Sequence, residues 1–346
     1  MIQINHLQIG FEFKDATLTQ REIFEYVVIK QTVFGYIPTI ELSINVTDLK
    51  FLKNFKAYDP LIFKIGYVGS LVSEYKFSAI NYTVSKSDTY RFNIVISGIL
   101  DLRPFTHYVD QVSYGKTTLS KAYKSLKGVK PIIETESNDT QIWLRYNIPE
   151  KAFVDKTIPY MATESAPIYG VRMNSTLKVT DMVKELKNEP KLSLSLDDKS
   201  MTQISSYRME SDNALSYFFS SGSETPVVNP VELKPYYFNN KGGVSKEKDL
   251  SGKQFGALLD CGNTHNRYYQ TYGINIGKWN ELSENLLIID TPSYIPESVA
   301  GICDNFYIKI DDLSDIVSEK QLLLDKHTVI EKEAISTRLM FGAINA

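Results

Sequence analysis

Residues 39–46 read TIELSINV, a run in which Ile40, Leu42, Ile44 and Val46 alternate with polar side chains. This period of two predicts a β-strand with one buried face. Similar short runs occur on both sides of it, separated by turn-forming pieces such as Asp59-Pro60. Such spacing is typical of a small antiparallel barrel or sandwich. The strands predicted in this region are 9–13, 26–28, 39–46, 61–68, 75–84 and 90–100.

Short helical patterns interrupt the strands. One is predicted over residues 47–52, opened by a capping Thr47. Another begins after Thr117 or Thr118 and stops at Gly128, a residue type that commonly follows a helix. We therefore predict a domain boundary near residue 112. A strand at 132–133 and a helical pattern over 151–166, which Pro159 must kink or begin, make the segment 113–190 an α+β domain.

The β pattern returns after Asn188. Strands are predicted over 191–196, 203–209, 214–219, 286–290, 305–310 and 327–341, with a short helical stretch between residues 263 and 273. The polar segment at about 220–252 contains prolines, glycines and a charged run, which predicts a mobile loop or arm. The predicted fold class is mainly β. Two small β-barrel-like domains, 1–112 and 191–346, flank and embrace the α+β domain 113–190.

Composition excludes several classes of function. The formal net charge of −3 comes from 38 basic and 41 acidic residues mixed along the chain, so no field is expected to hold nucleic acid or an anionic membrane. No run approaches the roughly 18 to 20 apolar residues of a membrane span, and the first residues do not form a signal peptide. Two cysteines, Cys261 and Cys303, are too few for a disulfide framework and favour a reducing compartment. The 22 Tyr and 17 Phe suit strands and protein interfaces.

Gly115-Lys116-Thr117 ahead of a predicted helix is similar to part of a phosphate-binding loop. The first glycine of that motif would fall at Asp110, where a carboxylate would oppose the phosphate. A helix cap is the simpler interpretation of the threonines.

Other reactive residue types do not form a recognisable site. His6, His107, His265 and His327 are scattered, and only His265 has a cysteine nearby, whereas a metal needs three or four converging ligands. The segment Asp260–His265 is the densest cluster of reactive types, but a turn capped by Asn263 accounts for it. The pair Asp197-Asp198 is not a calcium loop. We therefore assign no catalytic, cofactor-binding or metal-binding residue and expect no cofactor.

Several short stretches of sequence together resemble those of a known protein family. The run 40–44 leads to 59-DPLIFKI-65, and 118-TLSKA-122 opens the predicted middle domain. An extended segment, 143-WLRYNIP-149, precedes a helical pattern through Phe153, Ile158 and Met161 and then 169-YGVR-172. Near the end come Tyr268, Tyr269 and Tyr272, followed by 286-LLII-289, 299-VAG-301 and 306-FYI-308. In this order the chain resembles the baseplate hub proteins of contractile phage-like tails and the related spike proteins of type VI secretion.

The resemblance implies a structural protein rather than an enzyme. Three copies, each with two similar barrels, would form a pseudo-sixfold ring that joins a tail tube to a central spike. The implied partners are further copies of the chain, the tail tube protein, the central spike protein, and also tape measure and baseplate wedge proteins. The implied location is the baseplate of a virion tail, assembled in the host cytoplasm.

Other functions remain open at this point. Another tail adaptor or wedge, or the hub of a non-contractile tail, would use similar barrels. A glycan-active hydrolase on a β-scaffold would have a cleft with two carboxylates, one of raised pKa. A carbohydrate-binding adhesin would expose aromatic side chains in a groove.

Overall fold

The computed structural model describes most of the chain. It covers residues 7–13, 16–18, 24–34, 36–53, 55–69, 72–86, 90–138, 140–196, 203–211, 224–229, 234–239, 244–246, 285–313, 318–332 and 334–343, together with residues 271, 275, 278, 279, 281 and 282. The strand predicted over 214–219 and nearly all of the helix predicted between 263 and 273 lie outside these residues.

Seven strands form the first β region. Strand β4 has the predicted bounds, and Ile40, Leu42 and Ile44 are buried along it as the alternation requires. The other predicted strands of this region are confirmed with ends that shift by at most two residues, except that the strand predicted over 26–28 extends over Phe24–Thr32. The strands are β1 (Leu7–Phe13), β2 (Ala16–Leu18), β3 (Phe24–Thr32), β4 (Thr39–Val46), β5 (Asp59–Tyr67), β6 (Ser73–Lys86) and β7 (Phe92–Leu100).

The helical segment predicted at 47–52 is shorter than expected. It is a 3-10 turn over Lys50–Leu52, and the prediction that Thr47 caps it is wrong. The residue at the cap position is Leu49, and the Lys50 amide donates to the Asp48 Oδ1 atom at 2.8 Å in a turn just before it.

The middle of the chain is α+β, as predicted. Thr118 caps its helix by accepting from the Lys121 amide at 3.4 Å. Pro159 neither begins nor lies within the next helix, which ends at Thr157 and continues as a 3-10 turn over Ile158–Tyr160. The elements are α1 (Arg103–Thr106), β8 (Asp110–Thr117), α2 (Leu119–Lys124), β9 (Lys130–Ile133), β10 (Gln141–Ile148), α3 (Glu150–Thr157), β11 (Pro167–Val171), β12 (Thr176–Asp181) and α4 (Met182–Lys187).

Gly128 does not end α2, which stops four residues earlier at Lys124. Its φ of +74° places it in the left-handed region, and a Cβ there would lie 2.7 Å from the Phe105 amide nitrogen. Residue 128 therefore does require glycine, but the reason is its close contact with α1 and not the end of α2.

The last part of the chain returns to β structure. The single strand predicted over 327–341 is wrong, because two strands meet at a turn in which the Glu331 amide donates to the Ala334 carbonyl at 2.8 Å. The charged residues around Lys332 favour this turn over a continuous strand. The strands are β13 (Leu192–Ser195), β14 (Ser206–Ser211), β15 (Glu224–Asn229), β16 (Lys234–Asn239), β17 (Val244–Lys246), β18 (Asn285–Thr291), β19 (Asn305–Lys309), β20 (Lys320–Glu331) and β21 (Ile335–Gly342), with a 3-10 turn over Asp311–Leu313.

The polar insertion at about 220–252 is not simply a loop. Strands β15, β16 and β17 pair in an antiparallel sheet of their own. The runs Val227-Val228 and Tyr236-Tyr237-Phe238 explain the difference, because β-branched and aromatic residues favour strands even within a polar segment.

One large sheet joins the two β regions. Its strand order is β14-β18-β21-β20-β3-β4-β7-β6-β5-β1-β2, with β19 also beside β20 and β13 beside β19. The junction is the antiparallel pairing of β3 with β20, in which Val28 lies opposite Val329. The first region curls on itself, because Phe11 of β1 stacks on Phe24 of β3 at 6.0 Å although four strands separate them in the order. The mainly β class is confirmed. The three-domain division stays a prediction, and residue 112 lies inside β8.

Candidate interaction surface

Strands β8 and β10 form a two-stranded ribbon whose outer face is apolar. Ile142 and Leu144 are each 64% exposed and Tyr146 is 67% exposed, whereas the intervening Trp143 and Arg145 are buried. In the part of the chain that the structure describes, β8 and β10 pair only with each other. The apolar stripe on β10 therefore has no covering layer among the described residues.

The inner face of the ribbon fixes its orientation. Tyr114 of β8 stacks on Phe153 of α3 at 5.1 Å. The buried Arg145 guanidinium contacts the Glu150 carboxylate at 3.4 Å and pairs with Asp110 at the start of β8. Burial of an arginine thus turns the apolar residues of β10 outward.

Glu150 and Asp110 are two carboxylates on one guanidinium, and they must be weighed against the glycan-hydrolase alternative. Burial raises the pKa of Glu150, although the Lys127 amide and Arg145 oppose that shift. The Glu150 Oε2 atom already accepts from the Lys127 amide at 2.5 Å, and its Oε1 atom faces Arg145. Glu150 therefore holds the ribbon to α3, Asp110 joins β8 to β10, and the geometry assigns both carboxylates a structural role.

Further exposed apolar residues lie at the end of the ribbon where β8 begins. Tyr108 is 67% exposed and Val109 is 55% exposed, and these two residues lead directly into β8. The ring of Tyr58 meets that of His107 edge-on at 5.6 Å, which brings a side chain from the first β region to the same end of the ribbon. We call the set the ribbon surface. It comprises Tyr58, Tyr108, Val109, Ile142, Leu144 and Tyr146.

A second exposed strip lies at the end of β6. Ile80, Tyr82 and Val84 are 38–44% exposed. Pairing of β5 with β6 stops at Ala79, so the described strands leave residues 81–86 paired on one side only, with β7. The ring of Phe55 covers part of Tyr82 at 4.7 Å. This strip is narrower and better covered than the ribbon surface.

A buried network of charges joins the middle of the chain to the segment before β19. Asp304 accepts from the Lys178 ammonium at 2.7 Å, pairs with Arg172 at 2.8 Å and accepts from the Gly301 amide at 2.9 Å. Lys178 also pairs with Glu185 at 3.1 Å. Each of these four charged side chains is at most 12% exposed. Buried charges must be paired in this way to be tolerated, so the network locks two distant parts of the chain together.

A second buried pair lies next to this network. The Lys326 ammonium donates to the Ile295 carbonyl at 2.6 Å and to Glu297 at 3.2 Å. The backbone of Gly301 passes so close that an added Cβ would lie 2.7 Å from the Glu297 carboxylate. The Lys326 ammonium is thus held by backbone carbonyls and by a buried carboxylate within the fold.

The structure separates the residues that were candidates for chemistry. Gly115, Lys116 and Thr117 end strand β8 and do not form a loop that opens a helix. His107 is exposed and contacts Thr106, while His327 lies on β20. No group of three potential metal ligands occurs among the described residues. His6, Asp197, Asp198 and the segment from Asp260 through Cys261 and Asn263 to His265 lie outside them.

Cys303 is completely buried, and burial raises the pKa of its thiol to about 12 although Arg172 and Lys178 act in the opposite direction. A thiol reacts as the thiolate, so we expect no reaction at about pH 8 in the folded protein. In a Cys261→Ser variant, a chromogenic disulfide reagent should detect no thiol before urea is added and one thiol afterwards. Rapid reaction of the folded variant would contradict the buried position.

His327 should make stability depend on pH near neutrality. Burial lowers its pKa, and Lys30 and Arg338 lower it further while Asp325 opposes them. The unfolded chain therefore takes up a proton first as the pH falls below about 6.5, which favours unfolding. Urea midpoints should fall more for the native protein than for His327→Gln between about pH 7 and 5. Equal falls would show that another group is responsible.

Within the described residues, no helix has both the length and the apolar character needed to span a membrane.

Comparison with solved structures shows where this fold occurs. A tail protein from Neisseria meningitidis aligns over 98% of this chain and 97% of its own, with a TM-score of 0.64 and 12% identity. The 43 kDa tail protein of prophage MuSo2 from Shewanella oneidensis aligns over 97% and 98%, also with a TM-score of 0.64 and 12% identity. The chain has the fold of phage tail proteins.

The tail-protein fold also occurs in secretion machinery. The E. coli c3393 protein, described as a type VI secretion component similar to the T4 tail proteins gp27 and gp5, aligns over 97% of this chain and 79% of its own, with a TM-score of 0.55 and 8% identity. The resemblance to tail hub and type VI spike proteins is thus confirmed for the fold. No protein-family model matches the chain, and no curated protein matches it.

Proposed function

We propose that this chain is a structural hub of a phage-like tail. Three copies form a pseudo-sixfold ring that joins the tail tube to the central spike. The observation that carries the proposal is the alignment of nearly the whole chain with nearly the whole of two phage tail proteins. A match of that extent includes both β regions and the α+β part between them, rather than one common module.

The arrangement of the strands supports the ring. The two β regions lie side by side because β3 pairs with β20 in one sheet. Three copies would therefore contribute six β units, which can match a sixfold tube on one face and a threefold spike on the other. The proposed partners are further copies of this chain, the tail tube protein and the central spike protein, with tape measure and wedge proteins as further neighbours. The proposed location is the baseplate of the tail.

A ring of this kind needs no catalytic activity. The densest buried charges, around Lys178 and Asp304, are paired with each other and hold two parts of the chain together. Glu150 and Asp110 are likewise held by Arg145. The exposed side chains of the ribbon surface suit contacts with other proteins, since interface cores are rich in tyrosine and poor in charge. These features support force transmission through protein contacts.

The test is the assembly state of the purified chain. Light scattering over a wide range of concentrations should give the mass of three copies, and negative-stain averages should show a threefold ring with an open lumen. Addition of a purified phage tail tube protein should give a complex on a sizing column. A monomer at every concentration that also fails to bind the tube protein would contradict the hub.

A further inference from the structure

We infer that the ribbon surface is a contact between neighbouring copies of this chain. The inference rests on the proposed ring and deepens it, because it names the surface through which one copy meets the next. The occupant of the ribbon surface is a second copy, seated against the outer face of β10.

The first argument comes from the position of the side chains on β10. Strand residues point alternately to opposite faces, and here Leu144 is 64% exposed between Trp143 and Arg145, which are 4% and 3% exposed. Folding therefore buries a guanidinium and leaves Ile142, Leu144 and Tyr146 outside. Trp143 and the paired Arg145 fix this orientation, and a partner seated on the outer face would remove Ile142, Leu144 and Tyr146 from water, which is favourable.

The second argument is the size of the surface. Its six side chains are 46–67% exposed, which corresponds to about 100 Å² each for large apolar residues. The total of about 600 Å² is at the upper end of the largest apolar patch of an ordinary monomer. With the polar edge provided by Gln111, Ser113 and Lys116, it approaches the roughly 800 Å² that each partner contributes to a stable interface.

The third argument selects a second copy over a transient partner. Permanent interfaces between identical chains are more apolar than transient ones. The six residues of the ribbon surface are apolar or aromatic, and none carries a charge. A ring also requires a head-to-tail contact in which the ribbon surface meets a different region of the next copy. In the proposed ring the ribbon surface therefore meets a different region of the neighbouring copy rather than a second ribbon surface.

The test uses the full chain and one substitution on β10. Leu144→Lys places a charge at the centre of the proposed contact while leaving the inner face of the ribbon unchanged. We expect sedimentation velocity to show trimers of the native chain and a dissociation constant weakened on the order of 30-fold or more for the variant. Tyr36→Lys is the matched control, because Tyr36 is 60% exposed but lies in the turn between β3 and β4, outside the ribbon surface. It should assemble like the native chain.

Two further measurements separate the possible failures. Circular dichroism and the thermal midpoint check the folding of Leu144→Lys. If the lysine perturbs the strand, the double variant Ile142→Thr with Leu144→Thr removes the apolar contact while placing β-branched residues, which favour strands, at both positions. Native and variant trimers of equal stability would overturn the ribbon contact and leave the hub standing. Equal weakening by Tyr36→Lys would also overturn it, because the effect would not be specific. A native chain that never assembles would overturn both the contact and the ring.

Discussion

Asp304→Asn is expected to lower the free energy of unfolding by about 3–5 kcal/mol, because removal of one partner leaves buried charges uncompensated. The carboxylate faces Lys178 at 2.7 Å and Arg172 at 2.8 Å. An asparagine amide has no charge to offset these cations, and its NH₂ group would point donors at other donors. Urea unfolding followed by circular dichroism and by tryptophan fluorescence measures the loss.

Asp101→Asn is the matched control for this substitution. Asp101 accepts two hydrogen bonds of 2.8 Å from Arg103, but that pair lies at the surface, where Arg103 is 53% exposed. Exposed ion pairs contribute about 0–1 kcal/mol, so this variant should unfold close to the native midpoint. Similar losses for both variants would contradict the structural role assigned to the buried network.

The Asp304 network should also appear in the pH dependence of stability. Burial acts to raise the pKa of Asp304, but Arg172 and Lys178 outweigh burial and hold it below the ordinary value. A carboxyl with a lowered pKa in the folded state stabilises the protein above about pH 3.9, and the contribution is lost as the pH falls further. The native protein should therefore lose stability in acid more steeply than Asp304→Asn does.

Gly128→Ala is expected to cost about 2–5 kcal/mol, the sum of backbone strain and overpacking. Its φ is +74°, and an added Cβ would lie 2.7 Å from the Phe105 amide nitrogen and 2.8 Å from the Pro104 Cβ. Neither α1 nor the turn at residue 128 can move away without disturbing the buried Phe105. The free energy of unfolding of the variant gives the cost directly.

Gly115→Ala separates the two contributions. Gly115 has a similar φ of +68°, but no atom lies within 4 Å of its ideal Cβ position. Its replacement should cost only the strain, about 1–2 kcal/mol. If the two alanine variants unfolded at the same urea concentration, the close contact at Gly128 would be without consequence.

Much of the secondary structure could be predicted from local patterns in the sequence. The alternation in 39–46 gave the bounds of β4, Thr118 marked the start of α2, and strands β1, β5, β18 and β19 lie where short apolar runs predicted them. These elements depend on the period of apolar residues and on capping chemistry, which neighbouring residues determine. The mainly β class followed from such elements, whereas the tail-protein fold came from the family resemblance of short stretches such as 59-DPLIFKI-65.

Predictions from local patterns were wrong at three places in the chain. The insertion at about 220–252 looked polar overall, yet short β-branched and aromatic runs within it pair as three strands. The hairpin of β20 and β21 looked like one strand because both halves have the same alternation, and only the turn near Lys332 divides them. Gly128 was assigned to a helix end, while its actual neighbour, α1, is more than twenty positions earlier in the chain.

The sequence by itself determined that this is a mainly β protein with an α+β middle, since periodicity and caps act over a few residues. Only the tertiary structure decided which face of β10 is buried, because Arg145 turns inward to meet Glu150 and Asp110, and Leu144 therefore turns outward. It also decided that β3 and β20 join the two β regions and that Asp304 meets Lys178 across 126 residues. The physical reason is that such pairings join residues far apart in the chain, whose proximity no local pattern encodes.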